Sequence, residues 1–254
     1  MRHANAIVGA TLRQLLGIKR TVFFGIGALL PAAVLLASGN HQTDDSFFES
    51  YLGIGVGLFH IVIPIITLIL ASSALGDERK DKTLSFLAVR PIHRSTIVGS
   101  KIMAALLAAL IFNIIGAFAI SSVYGSQNSD WNFLMPMVLG AVVATAIYTG
   151  VFVPLGYITE RSTIIGLVFI FIWETASVGA LDTLKATSPW RLGYAAFIDL
   201  APDQTHIVNS LGEGKEWVIG NLTPSAGTAL VQALIVLATA TAFLAWRMRN
   251  RDLI

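Results

Sequence analysis

The sequence predicts an all-α membrane protein with six transmembrane helices and both termini in the cytoplasm. Three observations predict it: the apolar residues gather into six long runs, charge is scarce, and the basic residues lie almost entirely on one side of those runs. Of the 254 residues, 55% are hydrophobic and 13% charged, against about 25% charged in an ordinary soluble domain. A bilayer core of about 30 Å takes about 20 apolar residues per helical crossing. Six crossings therefore leave no stretch for a soluble catalytic domain, and the chain reads as one membrane domain over 1–254.

The runs are 21–38, 51–75, 102–124, 132–158, 163–181 and 226–246. Each must be helical, because lipid gives backbone N–H and C=O groups no partner and the period-two alternation of a membrane barrel is missing. Pro31, Pro64, Pro136 and Pro154 fall inside the runs, where kinks are expected. Ahead of the first run, Ala4 to Arg20 sets Ile7, Val8, Leu12, Leu15 and Leu16 near one helical face and Asn5, Arg13 and Arg20 away from it. That pattern predicts an amphipathic helix lying in the interface over 1–20. The first apolar run begins only at Thr21, which does not fit a cleavable signal peptide.

Orientation follows from the basic residues. With both ends inside, the inner segments 1–20, 76–101, 159–162 and 247–254 hold fourteen of the 17 lysines and arginines, while outer segments of nearly equal total length hold three. This positive-inside bias sets the topology. Tyr51, Tyr124, Trp131, Tyr157 and Trp246 stand at run ends, as an interfacial aromatic belt requires. The outer loop 182–225 is long, and short helices on or dipping into the outer leaflet are expected there, with Trp190 and Trp217 at the interface.

Several chemistries are excluded. There is no cysteine, hence no disulfide, thiolate metal site or cysteine nucleophile. No glycine-rich loop ends in Lys-Ser or Lys-Thr, and neither His-Glu-x-x-His nor Gly-x-Ser-x-Gly occurs. The five histidines lie in five different segments. No catalytic, cofactor-binding or metal-binding residue is expected, and the chain is not expected to be an enzyme. The net charge of +2 is explained by orientation, so membrane lipids rather than nucleic acid are the expected contact.

The cytoplasmic loop 76–101 carries the most information. Asp77 to Lys82 are charged, Leu84, Phe86, Leu87 and Val89 are apolar, Arg90-Pro91 ends that piece, and Ser95 is placed to cap a helix entering the third crossing. A short charged helix with an apolar stripe, held under the membrane, suits docking on another protein. The loop resembles that of ABC-2 type permeases, the six-helix membrane subunits of ATP-binding-cassette exporters. Glu78, Thr83, Leu84, Leu87, Arg90, Pro91, Arg94 and Lys101 occupy the family's positions, and Lys82 stands where relatives usually carry glycine. The ending Arg249-Asn250-Arg251-Asp252-Leu253 is also similar to the family's.

The resemblance implies a permease subunit in the cell (inner or plasma) membrane. It would pair with a second permease subunit, as homodimer or heterodimer, above separate ABC-type ATPase subunits that bind the ATP and magnesium. The loop would serve as a coupling helix between the second and third crossings, with Leu84, Phe86 and Leu87 as buried contacts and Glu78 and Arg79 as polar ones. Two other readings remain open: a secondary transporter or channel working alone, and a membrane assembly factor. Three polar residues lie near mid-membrane: His60 roughly 14 Å from the outer end of its run, Asn113 and Glu174 each roughly 17 Å from the inner end. Glu174 either lines a substrate path or ties to His60 or Asn113.

Overall fold

The computed structural model describes residues 2–39, 44–80, 93–174, 188–202, 204–210 and 225–250. Every regular element among them is helical. In chain order these are α1 (Arg2–Leu15), α2 (Ile18–Ser38), α3 (Asp44–Gly57), a π-helical turn (Leu58–Val62), α4 (Ile63–Lys80), α5 (Arg94–Asn128) and α6 (Leu134–Ile158). There follow α7 (Ser162–Val168), a second π turn (Phe169–Trp173), α8 (Pro189–Leu200), α9 (Gln204–Ser210) and α10 (Ala226–Asn250). Five helical stretches are long and apolar enough to cross a membrane: α2, the continuous rod Asp44–Arg79, α5, α6 and α10. Where the fifth of the six runs was expected, a shorter apolar helix spans Ser162–Trp173, and residues 175–181 of that run lie outside the described residues.

Helix α6 is the hub, packed by α4, α5, α8 and α10. Sixteen of its residues are buried, from Pro136 to Tyr157. Helices α2 and α10 lie at the periphery and turn large side chains outward, among them Phe23, Leu30 and Val34 on one and Leu234, Ile235 and Trp246 on the other. An apolar exterior on a packed bundle is the arrangement lipid demands, since burial here cannot be driven by escape from water alone. Small residues supply close approach instead. A Cβ on Gly156 of α6 would lie 2.7 Å from the Ser72 Cα on α4, and one on Gly140 would lie 2.6 Å from the Gly193 carbonyl oxygen on α8.

Boundaries differ from the apolar runs for physical reasons. Gly17 adopts an extended conformation (φ −59°, ψ 146°), so the predicted helix over Ala4 to Arg20 stops at Leu15 and Ile18–Arg20 belong to α2. Helix α4 carries its charged residues on to Lys80, and α5 starts at Arg94 with His93, not Ser95, at its cap. Their polar side chains are paired, which lets the helices outrun the apolar stretch. Pro64 lacks an N–H, and a proline ring collides with the carbonyl four residues back. That carbonyl belongs to His60, and the chain relieves the conflict with the π turn, in which Ile63 N–H bonds the Leu58 carbonyl five residues back.

The aromatic belt is only partly formed. Trp131 and Trp246 are exposed, but Tyr51 and Tyr124 are buried and stack with ring centroids 4.5 Å apart. Because α3 begins at Asp44, Tyr51 sits two turns inside the helix, and Phe48, Phe133 and Phe197 close around it. Tyr157 too is buried. Trp190, expected at the outer interface, is fully buried, as is nearly all of α8, because Gly193 lets α8 slide against α6. Trp217 lies outside the described residues.

Candidate functional site

Two polar constellations stand out, one at the basic end of the bundle and one buried in its interior. At the basic end, Asp77, Glu78 and Arg79 are consecutive in α4, so their side chains leave the helix about 100° apart and address three different neighbours. Asp77 Oδ2 accepts from Arg20 Nη2 of α2 at 3.3 Å. Glu78 pairs with Lys101 of α5, with the lysine side chain only 3% exposed and the glutamate 14%. Arg79 Nη1 donates to the Tyr157 carbonyl at 2.7 Å, satisfying one of the last carbonyls of α6 that has no partner within its own helix. Arg94, at the start of α5, donates likewise to the Met248 carbonyl near the end of α10. The two described ends of the 76–101 loop are thus wired to α2, α5, α6 and α10. The intervening Thr83, Leu84, Phe86, Leu87, Arg90 and Pro91 lie outside the described residues.

In the interior, Glu174 is fully buried immediately after the second π turn, where its own N–H bonds the Phe169 carbonyl five residues back. The extra residue in a π turn swings the succeeding side chains around the helix axis, and here it aims Glu174 into the bundle. Its Oε1 accepts from the Tyr148 hydroxyl of α6 at 2.9 Å, and its Oε2 accepts from the Ser188 hydroxyl. Ser188 precedes Pro189 at the start of α8, yet its side chain makes no capping bond to its own helix. Arg191, also buried, lies with its guanidinium carbon 5.3 Å from the Trp190 ring centroid. His60, within the first π turn, sets its ring 5.2 Å from that of Trp190.

Of the three polar residues singled out in the sequence, His60 and Glu174 therefore converge on the start of α8 without bonding each other. Asn113 stands apart, its Nδ2 donating to Thr67 Oγ1 at 3.0 Å and Thr145 Oγ1 at 2.9 Å, which joins α4, α5 and α6. Interhelical hydrogen bonds in membranes contribute on average about 0.6 kcal/mol and at most about 1.7. Asn113→Leu is accordingly expected to lower stability by about 1 kcal/mol in a denaturing-detergent titration, without loss of the fold.

Beyond the geometry, residues 16–177 match the family of ABC-2 family transporter proteins. The chain belongs to that family. It is a multi-pass membrane component of an ABC transporter, and such components are not themselves catalytic. Membership implies association with ABC ATPase subunits. No curated protein matches the chain. The span matched in this ABC-2 protein runs from the end of α1 to just beyond Glu174 and leaves out α8 and α10.

Tyr148, Ser188 and Arg191 were missed by sequence reasoning, as were Thr67 and Thr145. Tyr148 and the threonines are ordinary residues within apolar runs. Ser188-Pro189 is a helix-start signal that could have placed the beginning of α8 but not its depth.

Proposed function

We propose that this protein is the permease subunit of an ATP-driven exporter, with hydrolysis on separate ATPase subunits that dock on the cytoplasmic segment 76–101. The observation that carries the reading is the wiring of that segment's ends. Asp77, Glu78, Arg79 and Arg94 hold α2, α5, α6 and α10, so a force applied between residues 80 and 93 reaches most of the bundle at once. A solvated loop serving only topology would gain nothing from such connections.

In this reading there are six crossings. The stretch beginning at Ser162 is part of the fifth, α1 lies in the cytoplasmic interface, and both termini are cytoplasmic. The basic residues concentrated at this end support that orientation. Six crossings are few for a sealed route, so two copies or two related subunits would assemble around it. Leu84, Phe86 and Leu87 supply the apolar contact with the ATPase. Leu87→Glu is expected to weaken binding of the ATPase subunit by at least about tenfold, since a charge forced into a contact core removes a hot spot. Co-purification of the two subunits reads the effect, and membrane insertion should be unchanged. Undiminished co-purification would remove this segment as the docking site.

A further inference from the structure

Helix α8 is short, buried along almost its whole length, and polar where it begins. That beginning is held by the Ser188 bond to Glu174, whose other carboxylate oxygen accepts from Tyr148 of α6. Its middle is seated by Gly193, where a Cβ would lie 2.6 Å from the Ala144 Cβ of α6. Its far end is tied as well, because Asp199 Oδ2 accepts the Ala226 N–H at the start of α10 at 2.8 Å. Helix α8 is therefore a strut between the helix that carries Glu174, the hub α6 and the outermost helix α10. The two attachments differ in kind. The Asp199 bond is exposed to solvent, whereas Glu174 and its two hydroxyl partners are buried, where bonds are not exchanged readily for water.

We propose that Glu174 is a positioning residue whose carboxylate, by accepting the Ser188 and Tyr148 hydroxyls, latches the start of α8 against α6, so that α8 comes away from the bundle only when those bonds break. The latch rests on geometry alone and not on the transporter reading. Both carboxylate oxygens are already engaged, which leaves Glu174 poorly placed as a substrate ligand. Two π turns flank α8, one bearing His60 and one leading into Glu174. Such turns let a helix shift register, and they give the surrounding helices a place to yield once the latch opens.

The chain's lack of cysteine makes the test direct. Ala196→Cys places one thiol on the buried face of α8, and Ala108→Cys places a control thiol in the buried part of α5. Each is reacted, in the purified full-length protein, with a water-soluble maleimide. The double variant Tyr148→Phe/Ser188→Ala removes both donors while keeping the Glu174 side chain and the ring that stacks on Phe152. Labelling at position 196 is expected to rise about tenfold in the double variant and about threefold in each single one, with position 108 unchanged. Adding Glu174→Leu to the double variant should then change little, because the bonds it removes are already gone. Unchanged labelling at 196, or equal increases at both positions, would overturn the latch. No ATPase is present in this measurement, so its failure leaves the transporter reading standing, and loss of ATPase docking leaves the latch measurable.

Discussion

Lys101→Ala is expected to destabilise the protein by about 3–5 kcal/mol, the usual consequence of stripping the partner from a buried charge. The lysine side chain is 3% exposed and its partner Glu78 14%, so the carboxylate left behind would be largely cut off from water. The Arg20–Asp77 pair one residue away makes the comparison. Its side chains are 41% and 25% exposed, and pairs of that kind contribute about 0–1 kcal/mol. Two ion pairs on adjacent residues of α4 should therefore differ several-fold in effect, which melting of the detergent-purified protein will resolve. Replacing both partners, as Lys101→Met with Glu78→Gln, should recover most of the loss, since the penalty lies in the orphaned charge rather than in the missing attraction. A Lys101→Ala variant no less stable than Arg20→Ala would show that water reaches Glu78.

The pair also explains why these two positions stand out in the sequence. Glu78 and Lys101 flank the cytoplasmic loop, 23 residues apart, and the family resemblance implied a polar docking contact for the first and only a matching position for the second. In the fold they meet each other, fixing the spacing of α4 and α5 at the two ends of the segment proposed to receive the ATPase. Glu78 and Arg79 thus act inward on the bundle.

The membrane class and the positions of most crossings were legible because apolar runs of that length have few other uses. Less legible was how far each helix continues past its run. The rule that charge ends a transmembrane helix fails at Asp77–Lys80 and at Arg94–Lys101, where side chains find partners on neighbouring helices. The depth of α8 was hidden for the opposite reason. Its 12 residues include Arg191 and Asp199, which reads as a surface segment until the burial of Arg191 and the bond of Asp199 to the α10 terminus are seen. Mid-membrane Glu174 was visible as an anomaly, but its partners were not, because Tyr148 and Ser188 lie on elements whose packing no periodicity specifies.

Gly156→Leu is expected to leave little folded protein, and Gly156→Ala to cost about 1–3 kcal/mol or more, the range for overfilling a packed site. The reason is what the new atom would meet. A Cβ at Gly156 would approach the Ser72 carbonyl oxygen and lie 2.7 and 2.8 Å from its Cα and carbonyl carbon. These are backbone atoms of α4, so nothing short of moving one helix off the other relieves the clash. Gly166 offers a contrast, since its nearest neighbours are also close but belong to the Leu68 side chain, with Cγ at 3.0 Å, and a rotamer change there clears space. At Gly99 nothing lies within 4 Å, and Gly99→Ala should be neutral. The expected order of loss is therefore Gly156, then Gly166, then Gly99, measured as monodisperse protein recovered in mild detergent and as melting temperature. The same crossing involves Gly76, where a Cβ would lie 3.2 Å from the Gly156 carbonyl oxygen, immediately before Asp77. Separating α4 from α6 at this point would also draw Arg79 away from the Tyr157 carbonyl. Gly156→Ala in whatever protein folds should consequently weaken ATPase coupling more than its effect on stability alone accounts for, whereas Gly166→Ala should not.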